Sequence, residues 1–245
     1  MLLKDISFLT PQENILYDEV LLSLAEAKEM GEVLRFWESS QPFIVLGKIC
    51  KEEDDLKIRE VLEDQISVVR RSSGGGTVVQ GKGCLNFSLI LAKQRPEIMD
   101  LRKSYAFILN KIVDALRSAN IICEFLPICD IALSQNHKKI SGNAQKRGKN
   151  FVLHHGTILY QFDLKIIERY LKIPKDTPIY REGRSHLDFV ANVPLSASKI
   201  KELFKKAFAV TQEENYLTLK EQDSLQSLVK TKDISINLNL ATVFS

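Results

Sequence analysis

A chain of 245 residues with 44% apolar and 27% charged residues has an ordinary globular composition, which excludes a disordered or fibrous protein. Its 34 basic residues exceed its 31 acidic ones by only 3, and no basic run is interleaved with aromatics, so charge makes no case for a nucleic-acid partner. The opening MLLKDISFLTPQEN lacks the apolar core of a secretion signal, no apolar stretch approaches membrane-span length, and Cys50, Cys84, Cys123 and Cys129 show neither CxxC pairing nor histidines at metal-ligand spacing. The expectation is a cytoplasmic protein with free thiols, no membrane partner and no metal site of its own.

In chain order, Thr10-Pro11-Gln12-Glu13 supplies an N-cap, a proline at the first helical position and a capping-box glutamate, which predicts a helix over the apolar series Ile15, Leu16, Val20, Leu24. Residues 33–38 and 43–47 read as short strands, 54–63 as one charged surface helix, and Ile66 to Arg71 as a strand running into Gly74-Gly75-Gly76. Strands at Thr77 to Val79 and Asn86 to Leu91 follow. Leu101, Tyr105, Ile108, Ile112 and Leu116 recur at three- and four-residue steps and predict a long amphipathic helix packed on the sheet. Four more strands are expected at 121–126, 130–134, 138–145 and 151–160, with turns at Asn136-His137 and Gly148-Lys149-Asn150. Helices near 164–172, 198–209 and 218–230 complete the reading, the last opened by the capping box Thr218-x-x-Glu221. Grouped strands and helices predict an α+β domain with a mixed, largely antiparallel sheet flanked by helices.

Three segments could carry chemistry. In Arg70-Arg71-Ser72-Ser73-Gly74-Gly75-Gly76-Thr77, glycines without side chains let backbone N–H groups approach an anion while the arginines supply positive charge; taken alone, such a run is more often a tight turn with solvated arginines. The overlapping Gly76-x-x-x-x-Gly81-Lys82 imitates a phosphate-binding P-loop, but Gly83 stands where a Ser or Thr is needed and the flanks read strand-to-strand. In the second segment, Asp130-Ile131-Ala132-Leu133 precedes Lys138-Lys139-Ile140-Ser141-Gly142-Asn143-Ala144-Gln145. Strand alternation turns at most one of the two lysines inward, where an ammonium could neutralise a carboxylate or phosphoryl group, and Lys139 is the better placed. The third is His154-His155-Gly156-Thr157 in an apolar strand. Adjacent histidines face opposite ways, no carboxylate or thiol set accompanies them, and by periodicity alone a buried, hydrogen-bonded histidine is the favoured reading.

In this order the three segments resemble the catalytic domain of lipoate–protein ligase A and its relatives, a superfamily that includes lipoyl-pathway octanoyltransferases and biotin–protein ligases. Arg70 to Val78 is similar to an RRxSGGGxV segment, Lys139 to Gln145 to KxSGxA, and His154 to Leu159 to HHGTLL; weaker similarity, including Gly47-Lys48, Arg184 and Asn192, spans about residues 10 to 230. The resemblance implies one biotin/lipoyl-ligase-type catalytic domain over 1–245, with the tail from about 231 unassigned and no additional C-terminal accessory domain. It implies a ligase that uses ATP and Mg²⁺ to activate lipoate or octanoate as an acyl-AMP and attaches it to a lysine of a carrier domain. That carrier would be a lipoyl domain of a 2-oxoacid dehydrogenase E2 or the glycine cleavage H protein. Lys139 would be the catalytic residue, with Arg70, Arg71, Ser73, Gly74, Gly75, Gly76, Thr77, Gly142, Ala144, His155, Gly156 and Thr157 binding substrate and nucleotide.

The chain departs from many ligases where Gln80-Gly81-Lys82-Gly83-Cys84 replaces a His-Asp-x-Gly-Asn pattern. The alternative is therefore octanoyl transfer from acyl carrier protein through an acyl-thioester, with Cys123 or Cys129 as nucleophile. A third reading is a non-catalytic accessory or binding subunit.

Overall fold

The computed structural model describes residues 1–239. In chain order come β1 (Leu2–Asp5), α1 (Pro11–Glu26), β2 (Val33–Trp37), β3 (Phe43–Leu46), α2 (Glu52–Asp55), α3 (Ile58–Glu63), β4 (Ser67–Arg70), β5 (Val78–Gln80) and β6 (Cys84–Ala92). After α4 (Pro96–Met99) and the long α5 (Leu101–Arg117), four strands follow one another: β7 (Cys123–Leu126), β8 (Asp130–Leu133), β9 (Lys139–Arg147) and β10 (Phe151–Leu159). The chain continues through α6 (Lys165–Tyr170), a 3-10 turn at Ile179–Arg181, α7 (His186–Phe189), α8 (Ala197–Ala207), β11 (Gln212–Glu213) and α9 (Leu219–Thr231).

This is an α+β fold around an eight-stranded sheet of order β11-β1-β2-β6-β10-β9-β8-β7, parallel only where β1 meets β11 and β2 and antiparallel elsewhere. A smaller sheet, β4-β3-β5, is hydrogen-bonded separately, and its Phe43, Val45 and Val69 pack with Trp37 and Ile90 of the large one. Both faces of the large sheet are covered, which is why β6 reads as a nearly continuous apolar run. On one face Leu85, Phe87, Leu89 and Val152 pack with Ile108, Ile112 and Leu116 of α5 and with Phe204 of α8. Each such side chain contributes about 1.5–3 kcal/mol of transfer free energy. On the other face α1 and α9 join Val33, Trp37, Ile90 and Leu153. No helix among the described residues is long and apolar enough to cross a membrane.

The capped helices start where their end signals sit. Thr10 Oγ accepts from Glu13 N at the head of α1, Asp100 caps α5, and Thr218 and Glu221 form the reciprocal box of α9. The expected single helix over 54–63 is instead split into α2 and α3. Between them Leu56 is fully buried and bridges Leu171, and Lys57 N donates to Tyr170 O, so pairing with a distant segment overrides helical continuity. The sequence pattern does not predict strands β1 and β11. The first is held by its pairing with β2 and by Lys4, fully buried with its ammonium 3.0 Å from Glu221 and Glu214 carboxylates.

After α9 the chain runs along the edge of β4: Arg70 N donates to Ile234 O at 2.8 Å and Ile236 N to Val68 O at 2.9 Å. The last part of the tail, residues 240–245, lies outside the described residues.

Candidate functional site: a glycine loop facing strand β9

Strand β4 delivers the two arginines to different places. The Arg70 guanidinium donates to Gly47 O and Cys50 O and pairs with Glu52, so it braces the turn after β3. Arg71 is only 8% exposed and folds back under the loop, donating to Ser73 Oγ, Gly74 O, Gly76 O and Val45 O. Burial brings its pKa down to about 10, which leaves it charged at neutral pH. With its carbonyls gathered around this cation, the loop takes a fixed shape. Gly75 has φ +82°, and a Cβ on Gly47 would stand 1.9 Å from Gly75 O, so this approach requires glycine at both positions. Added Cβ atoms at Gly74 and Gly76 would meet nothing within 4 Å, so both border open space.

The loop lies over one face of β9 and β10. A Cβ on Gly75 would sit 3.5 Å from Ala144 Cβ, Lys146 Nζ donates to Ser72 Oγ at 2.9 Å, and Ser73 Oγ and His155 Nε2 are 2.7 Å apart. Gly142, Ala144 and Lys146 share this face at two-residue steps. Lys139, three residues before Gly142, would point the other way under strict alternation. The β8–β9 ladder shifts, however: Ile131 pairs Ser141 while Ala132 pairs Lys139, and Ile140 is the extra residue. The bulge turns Lys139 back, so a Cβ on Gly142 would stand 3.0 Å from its Cε and Nζ. Lys139 thus shares a strand face with Gly142 and with Ala144, which touches the loop.

Lys139 Nζ is 2.8 Å from Asp130 Oδ1, and Tyr180 Oη donates to Asp130 Oδ2 at 2.6 Å. Burial pushes the ammonium pKa down, but the Asp130 charge and hydrogen bond outweigh it and hold Lys139 above the ordinary lysine value. His155 is held well below the ordinary imidazole value, first by burial and then by Arg71 and His154, so it faces Ser73 as a neutral ring. His154 and Gly156 belong to the opposite face, where His154 meets Gln145, Asn143 and the Tyr105 ring and a Cβ on Gly156 would strike Asn143 Oδ1 at 1.9 Å.

The sequence-derived residues therefore divide. Arg71, Ser73, Gly74, Gly75 and Gly76 form or brace the loop, and Gly142, Ala144, His155 and Lys139 share the sheet face that it approaches. Arg70 turns to Glu52, Thr77 Oγ1 donates to Asp55, and Gly156 faces away; Thr157 lies toward Cys84. Cys123 is fully buried in the α5 core, with its thiol pushed up to about 11, whereas Cys129 adjoins the site with its Sγ 3.9 Å from Asp130 Oδ1. Burial raises the Cys129 thiol as well. Asp130 and Ser72 lie in the segments that the sequence marks, the Asp-x-Ala-Leu strand and the Arg-Arg-Ser-Ser-Gly run, but with no role assigned to them; Lys146 and Tyr180 depend on long-range contacts with no local pattern.

The α+β domain thus sets a cation-braced glycine loop over β9 and β10 and a carboxylate-paired lysine on the same face of β9. The chain belongs to the lipoyl protein ligase A/B catalytic domain family, whose sequence model matches residues 10–212. It is 29% identical over 223 residues to the probable lipoate-protein ligase A of Mycoplasma genitalium, covering 91% of this chain but only 63% of that protein. It is 22% identical to the octanoyltransferase LipM of Brevibacillus brevis over 95% of each chain. The fold matches that of an archaeal bi-partite lipoate protein ligase from Thermoplasma acidophilum with a TM-score of 0.78, at 22% identity and covering 94% of this chain and 92% of that one.

Proposed function

We propose that this chain is the catalytic part of a lipoate–protein ligase: it activates lipoate or octanoate with ATP as an acyl-adenylate and passes the acyl group to a carrier lysine. The observation that carries the reading is the bulge-directed placement of the Lys139 ammonium on the β9 face that meets the glycine loop. Adenylate formation and its aminolysis both develop negative charge on carbonyl and phosphoryl oxygens, and a pre-placed ammonium stabilises that charge without reorganising. Open space over Gly74 and Gly76 lets such oxygens approach the loop backbone. Mg²⁺ would arrive with the nucleotide, held mainly by phosphate oxygens. Among the described residues no three His, Cys, Asp or Glu side chains group as a metal cage. The carriers proposed are lipoyl domains of 2-oxoacid dehydrogenase E2 or the glycine cleavage H protein, in the cytoplasm.

Octanoyl transfer from acyl carrier protein is the second reading. Cys129 beside Lys139 and Asp130 favours it, as does the LipM relative of matching length. Incubating the protein with an apo lipoyl domain and either lipoate plus Mg-ATP or octanoyl carrier protein, and reading the product mass, separates the two. Ligase activity predicts a lipoylated domain in the first mixture only, and product with neither donor would overturn both readings.

A further inference from the structure

Two lysines from distant parts of the chain converge on Glu19 in α1. Lys146 Nζ lies 3.0 Å from Glu19 Oε2 and also donates to Ser72 Oγ at 2.9 Å, while Lys232 Nζ lies 2.7 Å from both carboxylate oxygens. The Glu19 side chain is only 12% exposed, so solvent screens these pairs less than surface ones. Lys232 is the first residue after α9, and the chain beyond it is the strap whose backbone pairs with Arg70 and Val68. The strap is thereby attached to the glycine loop twice, through the β4 backbone and through the side-chain relay Lys232–Glu19–Lys146–Ser72. A cavity of about 720 Å³ opens beside the relay between α1 and α9, lined by Glu19, Lys146, Ser227 and Leu228 among others. Beyond Lys232 the strap also has an apolar hold, with Ile234 buried beside Leu16, Val69 and Leu225, so the relay adds a polar link to the loop to an existing apolar anchor.

We propose that Glu19 is a positioning residue: by gathering Lys146 and Lys232 it fixes Ser72, and with it Ser73 to Gly76, in the arrangement that binds the acyl substrate, making the strap at 232–236 part of that binding device. The substrate half of this statement rests on the acyl-transfer reading above; the coupling of strap to loop does not. A relay built only for stability would protect α1, α9 and the core alike. A positioning relay acts on the loop, and its loss appears in substrate binding more than in turnover.

The test uses the full chain with Glu19→Gln, Lys232→Ala, the double variant and Lys232→Arg. Amide hydrogen exchange is followed at residues 72–77, alongside steady-state kinetics with lipoate, Mg-ATP and an apo lipoyl domain. Each single variant should speed loop exchange about tenfold and raise KM for lipoate to a similar degree, with kcat within about threefold, the coupling typical of groups in one ion-pair network. Exchange in α5 should not change. The double variant should be no worse than Glu19→Gln alone, and Lys232→Arg should restore most of the loss. Unchanged loop exchange in both single variants, fully additive effects, or an equal increase across α1, α5 and α9 would each overturn the proposal. If Glu19→Gln does not fold, Lys232→Ala carries the test, since that side chain is 36% exposed. Loop exchange that responds as expected in a protein with no transfer activity would refute the acyl-transfer reading and leave the coupling standing.

Discussion

Asp130 holds Lys139 by one carboxylate oxygen at 2.8 Å and receives the Tyr180 hydroxyl on the other at 2.6 Å. The ammonium is thus oriented by a group that is itself oriented. Arg184, donating to Tyr180 O, Asn136 O and His137 O, ties the Tyr180 turn to the β8–β9 connection. Positioned charge of this kind lowers barriers because its orientation is settled before the reaction begins.

Replacing Lys139 with Ala should cost about two to three decades in acyl transfer to a lipoyl domain, and it should also lower the melting temperature, because the Asp130 side chain, 8% exposed, loses its ion-pair partner. Lys139→Arg should recover only part of the rate, since a planar guanidinium does not fit the compact place beside Asp130 and Gly142. Turnover assays on both variants decide this, and near-wild-type rates for the alanine variant would remove Lys139 from the mechanism.

Gly47→Ala places a methyl group 1.9 Å from Gly75 O, a backbone atom that cannot move without the loop. The expected result is a loss of about 1–3 kcal/mol in stability and a raised KM for the acyl acid. Gly74→Ala, whose added Cβ meets nothing, should leave stability almost untouched. Thermal melts of the two variants side by side provide the check; equal stabilities would contradict the close approach.

The two candidate thiols should behave differently. Cys123→Ser buries a hydroxyl in the apolar α5 core and should lower stability by about 1–3 kcal/mol without a specific effect on transfer. Cys129→Ser should retain ATP-dependent transfer under the ligase reading, because burial already holds that thiol up and leaves little thiolate. Mass spectrometry after incubation with octanoyl carrier protein is the deciding measurement: an acyl adduct on Cys129 would move the assignment to octanoyl transfer.

Acid should weaken the fold through His154. Burial depresses its pKa to about 3, against roughly 6.5 in an unfolded chain. As pH falls below about 6.5 the unfolded state binds a proton that the folded state refuses. The contribution is therefore intact above that value and declines by about 1.4 kcal/mol per pH unit until roughly pH 3. His155, also held low, adds a parallel slope. Urea unfolding at pH 7, 6 and 5 should show this decline, and His154→Asn should flatten it by about one proton; an unaltered slope in that variant would mean His154 is not the group responsible.

Much of this protein was written in short stretches of sequence. The helix caps at Thr10 and Thr218, the periodic apolar face of α5, the strand-to-glycine transition at Arg70–Gly76 and the three family segments are local, each complete within a few residues to a few turns. Steric and hydrogen-bonding preferences act over that range, so they could be read directly. The tertiary structure decided which way side chains face and what they meet. Strand alternation separated Lys138 from Lys139, but only the β8–β9 register, with its bulge at Ile140, set Lys139 on the face of Gly142. The resemblance places both adjacent arginines in the binding set, Arg70 foremost, but packing sends Arg70 to Glu52 and folds Arg71 under the loop. Cys123 and Cys129 differed only once α5 had covered the first. The Ser73–His155 contact joins residues 82 apart, and the Lys232–Glu19 pair joins residues 213 apart. Such partners are chosen by how sheets and helices stack, a property of the whole chain that no window of its sequence contains.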